Sequence, residues 1–462
     1  MFEFIGRENE IRDINDRIQS DHSELILLYG RRHVGKTELI RHCLLNSDHR
    51  SVYYMCRQVK EKQLINGLSE EIHFLTDLSG QYFRSFEDAL RYLFELGKKE
   101  KIIVALDEYP NARQMIEGLD SQIQALMDEY KFTSQTKLIL SGSYIDIMKS
   151  IKSPKSPLYG RITLSIDLKQ MDYYESSLFY PSFSASDKVA LYSVLGGMPL
   201  YNSLVREDLS VKENIISLIA SRNARLEDEI DLFLKAELSK LENANSIFSA
   251  MASGHFKYNE IMEEADISST GVMSELITKL INMEAVRKEF PINKENDKSK
   301  SRYYIDDNLA RFYFHFIHKN LSALQIMNSE AFYQRFIETE FNEHYVPKIF
   351  EDICRQFLIR LNINGKIDPV IEKIGKYYYD DPITHKNGEF DIVTKDALGY
   401  SFYEAKYKTQ PVTYGMIQKE VAQVNQTGLS CHRYGFFSKS GFKGDIPKEI
   451  VCYTLKELYQ AQ

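Results

Sequence analysis

The segment Leu25-Ile26-Leu27-Leu28-Tyr29-Gly30-Arg31-Arg32-His33-Val34-Gly35-Lys36-Thr37 constrains this chain more than any other. An apolar run with the character of a buried strand meets Gly30 and Gly35, then Lys36 and Thr37. The following residues, Glu38 to Leu45, carry helical apolar spacing. Strand, glycine turn and helix start in this order match G-x-x-x-x-G-K-[ST], the phosphate-cradling P-loop. The glycines let backbone N–H groups turn inward around a phosphate, and the helix start adds a favourable dipole. Lys36 supplies a point charge for β- and γ-phosphates, and the Thr37 hydroxyl suits Mg2+. Gly30, Arg31, Arg32, His33, Val34, Gly35, Lys36, Thr37 and Glu38 are the candidate nucleotide-binding set. The side chains of Arg31 and Arg32 are expected to face solvent. The predicted fold of this part is an α/β doubly wound parallel sheet.

Composition narrows the setting. At 462 residues the chain is long enough for several domains. No run reaches the roughly 18 apolar residues of a membrane span, and the amino terminus from Met1 to Glu8 lacks a basic flank and apolar core. Five scattered cysteines without C-x-x-C spacing read as reduced thiols. A cytoplasmic setting with no membrane partner is expected. A net charge of −8 argues against a wholesale nucleic-acid coat while leaving room for a local basic groove.

Hydrolysis needs a second acidic element beside the P-loop. Lys101 to Leu106 is an apolar run ending in Asp107 and Glu108, which fits a buried parallel strand opening onto the site. Asp107 would hold Mg2+, and Glu108 would orient or deprotonate the attacking water. A further strand, Thr136 to Leu140, ends in Ser141-Gly142-Ser143. It is expected beside the P-loop strand, where Ser141 or Ser143 would reach the γ-phosphate or the lytic water; spacing does not choose between them.

Phe4-Ile5-Gly6-Arg7-Glu8, Asp107-Glu108-Tyr109-Pro110, Leu140-Ser141-Gly142-Ser143 and Leu195-Gly196-Gly197-Met198-Pro199 together resemble the prokaryotic "archaeal ATPase" family, within the AAA+/STAND class of P-loop NTPases. The resemblance implies ATP as ligand, adenine contacts near Ile5, Gly6 and Pro199, and a helical lid after the sheet. Arg161 is the candidate charge-stabilising arginine for the γ-phosphate, a surface ion pair being its alternative role.

The expected division is a P-loop ATPase core over 1–166, a helical lid over 167–241, a winged helix-turn-helix over 242–320 and a nuclease-like domain over 321–462. Ser186 to Val194, Val211 to Arg222 and Glu227 to Leu241 each show helical spacing. Helices near 246–251 and 258–265, and a third with a cap-rich start at Ser268-Ser269-Thr270-Gly271 running to Ile281, precede two strand-like runs, Ala285 to Phe290 and Ser301 to Ile305. Three helices and a β-wing would place the third helix in a DNA groove. That helix offers only Glu275 and Lys279, so docking to a protein, or self-association, stands as the alternative. Lys294, Lys298 and Lys300 of the wing would touch phosphates without reading sequence.

In the last module Asp391 lies on one strand, and Glu404 and Lys406 sit two apart on the next, facing one side. D…E-x-K is a restriction-nuclease-like pattern: carboxylates hold a divalent metal, and the lysine helps position the attacking hydroxide. Glu351 would add a metal ligand, and Gln418 or Glu420 would contact substrate. The family resemblance implies a C-terminal PD-(D/E)xK-like domain, with its pattern at Glu389, Asp391, Glu404 and Lys406. Two readings of the whole follow: an ATPase driving a metal-dependent nuclease that acts on DNA, or a nucleotide switch whose nuclease-like domain is inactive.

Overall fold

The computed structural model describes residues 4–76, 82–237, 241–380 and 387–460. Met1, Phe2 and Glu3, the first residues of the amino-terminal stretch considered above, lie outside these residues, as does part of the stretch joining the expected lid to the winged helix. The chain separates into two compact units. One runs to Gln170 and includes Met198–Leu200; the other comprises Met171–Gly197 and the chain from Tyr201 onward.

The first unit is a five-stranded sheet. Its strands are β1 (Glu24–Tyr29), β2 (Arg50–Met55), β3 (Ile102–Asp107), β4 (Lys137–Gly142) and β5 (Leu164–Asp167). Their order is β2-β3-β4-β1-β5 and every pairing is parallel. β1, β3 and β4 are buried along their whole length, which is why their sequences read as unbroken apolar runs rather than alternating ones. Helices Glu61–Thr76, Phe86–Leu96 and Leu119–Glu129 pack Leu64, Leu68, Leu90, Leu93, Ile123 and Leu126 into one core with Leu25, Leu27, Val104 and Leu138. β4 lies between β1 and β3, so the ends of the P-loop strand and the acidic strand flank Ser141.

The second unit opens with helices Tyr173–Ser177, Ala185–Leu195 and Val211–Leu218. The last was expected to reach Arg222; it stops at Leu218, ahead of a turn in which Asn223 takes a positive φ of 58°. Glu229–Glu237 follows, and its expected continuation to Leu241 crosses residues outside the described set. Helices Leu241–Ala252, Tyr258–Glu264 and Thr270–Asn282 then lead into an antiparallel ribbon of β6 (Val286–Glu289) and β7 (Arg302–Ile305). Two π-helical turns, Tyr313–Ile317 and Phe341–Tyr345, precede the long helix Val346–Ile363.

The chain ends in a second sheet, built from β8 (Lys373–Asp380), β9 (Asn387–Asp396), β10 (Gly399–Lys406), β12 (Cys431–Ser438) and β14 (Ile450–Thr454) in the order β14-β12-β10-β9-β8. β11 (Val412–Thr413) and β13 (Phe442–Lys443) form a small parallel pair. The ribbon tip runs against the edge strand β8. Ile292 N–H donates to the Lys376 carbonyl at 2.8 Å, and Asn293 exchanges hydrogen bonds with the Tyr378 backbone at 2.8 and 3.1 Å. Lys300 lies 3.9 Å over the Tyr378 ring, and Lys373 pairs with Glu295 at 2.6 Å. Lys300, expected to be free for phosphates, is therefore committed to the sheet; Lys294 and Lys298 are exposed. Among the described residues no helix is long and apolar enough to cross a membrane.

Candidate functional site

The parallel sheet delivers its chemistry at the carboxyl ends of three adjacent strands. At the end of β1, a Cβ on Gly30 would stand 2.3 Å from the Leu168 carbonyl oxygen, so only glycine fits. Gly35 has φ +98°, a left-handed conformation that glycine adopts without strain. His33 at φ 66° and Glu108 at φ 51° hold the same conformation with side chains, a strain that concentrates at functional sites.

Lys36 opens the helix Lys36–Leu45 and curls back over the loop. Its ammonium donates to the carbonyls of Gly30 at 2.9 Å and Arg31 at 3.0 Å. Burial pulls its pKa down to about 8, against the opposing pull of Glu108 and Asp107. An arriving phosphate would supply that buried cation with the anion it lacks.

Asp107 is fully buried and collects hydroxyls. Thr37 Oγ1 donates to Oδ2 at 2.7 Å and Tyr53 Oη to the same oxygen at 2.8 Å; Ser141 Oγ donates to Oδ1. Burial, then the Asp107 carboxylate, raise the Tyr53 hydroxyl above its ordinary value, which keeps it a donor. Thr37 and Asp107 stand together as the side chains that would hold a Mg2+ here. Glu108, at the start of Tyr109–Met115, is clasped by Ser143: the hydroxyl donates to Oε1 at 2.6 Å and the N–H to Oε2 at 3.3 Å. The two serines left open by spacing thus take different partners.

At the amino-terminal turn, Arg7 is 3% exposed and donates to the carbonyls of Val34 at 3.2 Å and Lys169 at 2.6 Å. This ties the Ile5-Gly6 turn to the P-loop. The Pro199 ring lies 3.7 Å from the Cβ position of Gly35. Glu38 faces solvent beside Arg41. Arg31, expected to face solvent, is instead buried at 2% exposure.

Arg161 does not reach this site. Thr163 N–H bonds to the Leu25 carbonyl, which sets Arg161 at the amino-terminal edge of the sheet, a strand length from the loop. Its guanidinium is engaged by Asp128 at 3.1 and 2.9 Å. Sequence reasoning missed Tyr53 and Arg7; for Arg7 the signal was its place in the Gly6-Arg7 turn.

The second sheet gathers the other candidate acids. β9 and β10 pair antiparallel with Ile392 opposite Tyr403, which brings Asp391 and Glu404 to neighbouring positions. Asp391 accepts from Lys376 at 2.6 Å and Lys348 at 3.2 Å, and Lys348 also reaches Glu351 at 2.6 Å. Lys406 bridges Glu404 and Glu420, both at 2.7 Å, and Lys376 pairs with Glu389 at 2.6 Å. Burial, then Asp391, push the Glu351 carboxyl up to about 7. Gln418 faces solvent. The expected metal cage of Glu351, Asp391 and Glu404 is not formed: among the described residues no three acidic, His or Cys side chains converge as metal ligands. The physical reason is charge matching, since each carboxylate already has an ammonium partner.

Residues 4–204 match the family described as an ATPase domain predominantly from Archaea, and residues 313–423 a family described as "Archaea bacterial proteins of unknown function". An uncharacterized protein of Methanocaldococcus jannaschii is 28% identical over 413 residues, covering 88% of each chain. An uncharacterized ATP-binding protein of the same organism is 25% identical over 52% of this chain and 75% of its own. Among solved structures, the Walker-type ATPase of Pyrococcus abyssi aligns at TM-score 0.48 and 20% identity, over 67% of this chain and 96% of its own. The ORC2 protein of Aeropyrum pernix in its ADPNP-ADP complexes aligns at 0.46 and 13%, over 70% and 93%.

Proposed function

We propose that this chain binds and hydrolyses ATP and uses the nucleotide state to control its C-terminal module; the match of residues 4–204 to the ATPase domain family predominantly from Archaea supports this. The observation that carries the reading is the convergence of Thr37, Ser141 and Tyr53 on the buried Asp107 carboxylate. With Mg2+ held by Thr37 and Asp107, charge on the phosphates would be neutralised at that point. Lys36 leaves its loop carbonyls for phosphate oxygens. Glu108 takes the proton of the attacking water as its oxygen bonds to Pγ; the Pγ–O bond to the β-phosphate breaks, leaving ADP and phosphate. Pro199 and the Ile5-Gly6 turn border the adenine. The helices after the sheet act as the lid.

Lys36→Ala should weaken ATP binding, and Glu108→Gln should keep binding and lose turnover. A Glu108→Gln variant hydrolysing ATP at the wild-type rate removes Glu108 from the mechanism.

For the C-terminal module we read a binding element rather than a metal-dependent nuclease, because Lys348, Lys376 and Lys406 satisfy its carboxylates. The three helices and ribbon act as a winged helix whose DNA contact is confined to the exposed Lys294 and Lys298. Two phosphate contacts give a slope of log affinity against log salt of about −2. DNA cleavage in Mg2+ or Mn2+ that Glu404→Ala abolishes would reverse this reading in favour of the nuclease.

A further inference from the structure

Arg161 sits at the far edge of the sheet, engaged by Asp128, so the candidates for a guanidinium at the terminal phosphate are the arginines nearer the loop. Arg31 is buried, and Arg113 is committed to Asp120 at 2.9 Å. Arg32 is different. It is the third residue of the Gly30–Thr37 loop, it is exposed, and it makes only a light contact. Its Nη2 donates to Tyr144 Oη at 3.3 Å, and its guanidinium carbon lies 5.7 Å from the Tyr144 ring centroid.

Tyr144 directly follows Ser143, which clasps Glu108. Two pairs, Arg32–Tyr144 and Ser143–Glu108, therefore stand side by side at the end of β4. Beside Tyr144 lies a cleft of about 700 Å3, lined also by Pro110 and Ile147; Arg32 itself is exposed to solvent.

We propose that Arg32 is the charge-stabilising arginine of this site, supplied by the P-loop itself and parked on Tyr144 until a terminal phosphate draws it in. The inference rests on the ATPase reading. As water attacks Pγ and the bond to the β-phosphate oxygen breaks, negative charge spreads over the γ-oxygens and the leaving oxygen. A planar guanidinium can meet two of those oxygens at once. ADP, lacking the terminal group, gives Arg32 nothing to hold, so the side chain returns to Tyr144. The parked and engaged positions make it a reporter of which nucleotide is bound.

The test uses the full chain with Arg32→Ala and Arg32→Lys, and measures turnover together with affinities for ADP and for the non-hydrolysable analogue AMP-PNP. Arg32→Ala should lower kcat by about a thousandfold, the scale of other arginines that stabilise phosphoryl transfer. It should weaken AMP-PNP by about tenfold, one charge-assisted contact, and leave ADP unchanged. Arg32→Lys should recover part of the AMP-PNP affinity while kcat stays low. Equal weakening of ADP and AMP-PNP, or a kcat within about threefold of wild type, overturns the proposal. If the wild type binds ATP without hydrolysing it, the ATPase reading fails, and Arg32 is still judged by the ratio of AMP-PNP to ADP affinity.

Discussion

Asp107 owes its orientation to three hydroxyls on three elements: Thr37 on the helix after the loop, Ser141 on β4 and Tyr53 on β2. Tyr53→Phe keeps the ring, over which the Arg41 guanidinium lies at 5.1 Å, and removes only the donor. It should cut the Mg2+-dependent part of ADP affinity by roughly three- to tenfold, one hydrogen bond to a charged group, while metal-free affinity stays constant. Calorimetry with and without Mg2+ reads the difference. The Asp107-Glu108 pair was legible in the sequence because an apolar run ended in it. Tyr53 was not, since Arg50-Ser51-Val52-Tyr53-Tyr54-Met55 carries no chemical mark. Only the strand order, with β2 beside β3, brings its hydroxyl to the carboxylate. Arg161 failed for the same cause: its local sequence says nothing of which edge of the sheet it occupies.

Helices and ribbon were readable from periodicity, because each buries one stripe and the residues at the turns break it. What the ribbon tip touches was not readable, since a polar loop of Asn, Lys, Glu and Asp gives no sign of a partner. Here the partner is β8, whose outer edge would otherwise present unpaired backbone groups. Asn293 satisfies both the N–H and the carbonyl of Tyr378. Asn293→Ala should therefore destabilise the second unit by about 1–2 kcal/mol in urea unfolding. It should also speed amide exchange at Tyr378 more than at β10. Unchanged exchange at Tyr378 would show that the tip does not hold the edge.

At the scale of the second unit, a charge network joins the ribbon to the long helix. Arg287, Arg311 and Arg355 all reach Asp352; Glu289 and Asp306 supply the other two carboxylates, making three charges of each sign. Burial alone would raise the Asp352 carboxyl, but the three guanidiniums outweigh it and hold it well below its ordinary value. A carboxyl depressed on folding adds stability that is fully present above its unfolded pKa of about 3.9, and that is lost as pH falls through the folded value. Urea midpoints of wild type should drop below about pH 4, and those of Asp352→Asn should vary less. The variant should also lose about 3 kcal/mol near neutrality, because three guanidiniums are left under-matched. A variant as stable as wild type at pH 7 would mark the network as dispensable.

That network carries a consequence for heat. The hydration of ions becomes less favourable as temperature rises, so the cost of burying matched charges shrinks while apolar burial gains nothing comparable. The junction of ribbon and long helix should thus become a larger share of what holds the second unit together on warming, making it among the last parts of that unit to melt.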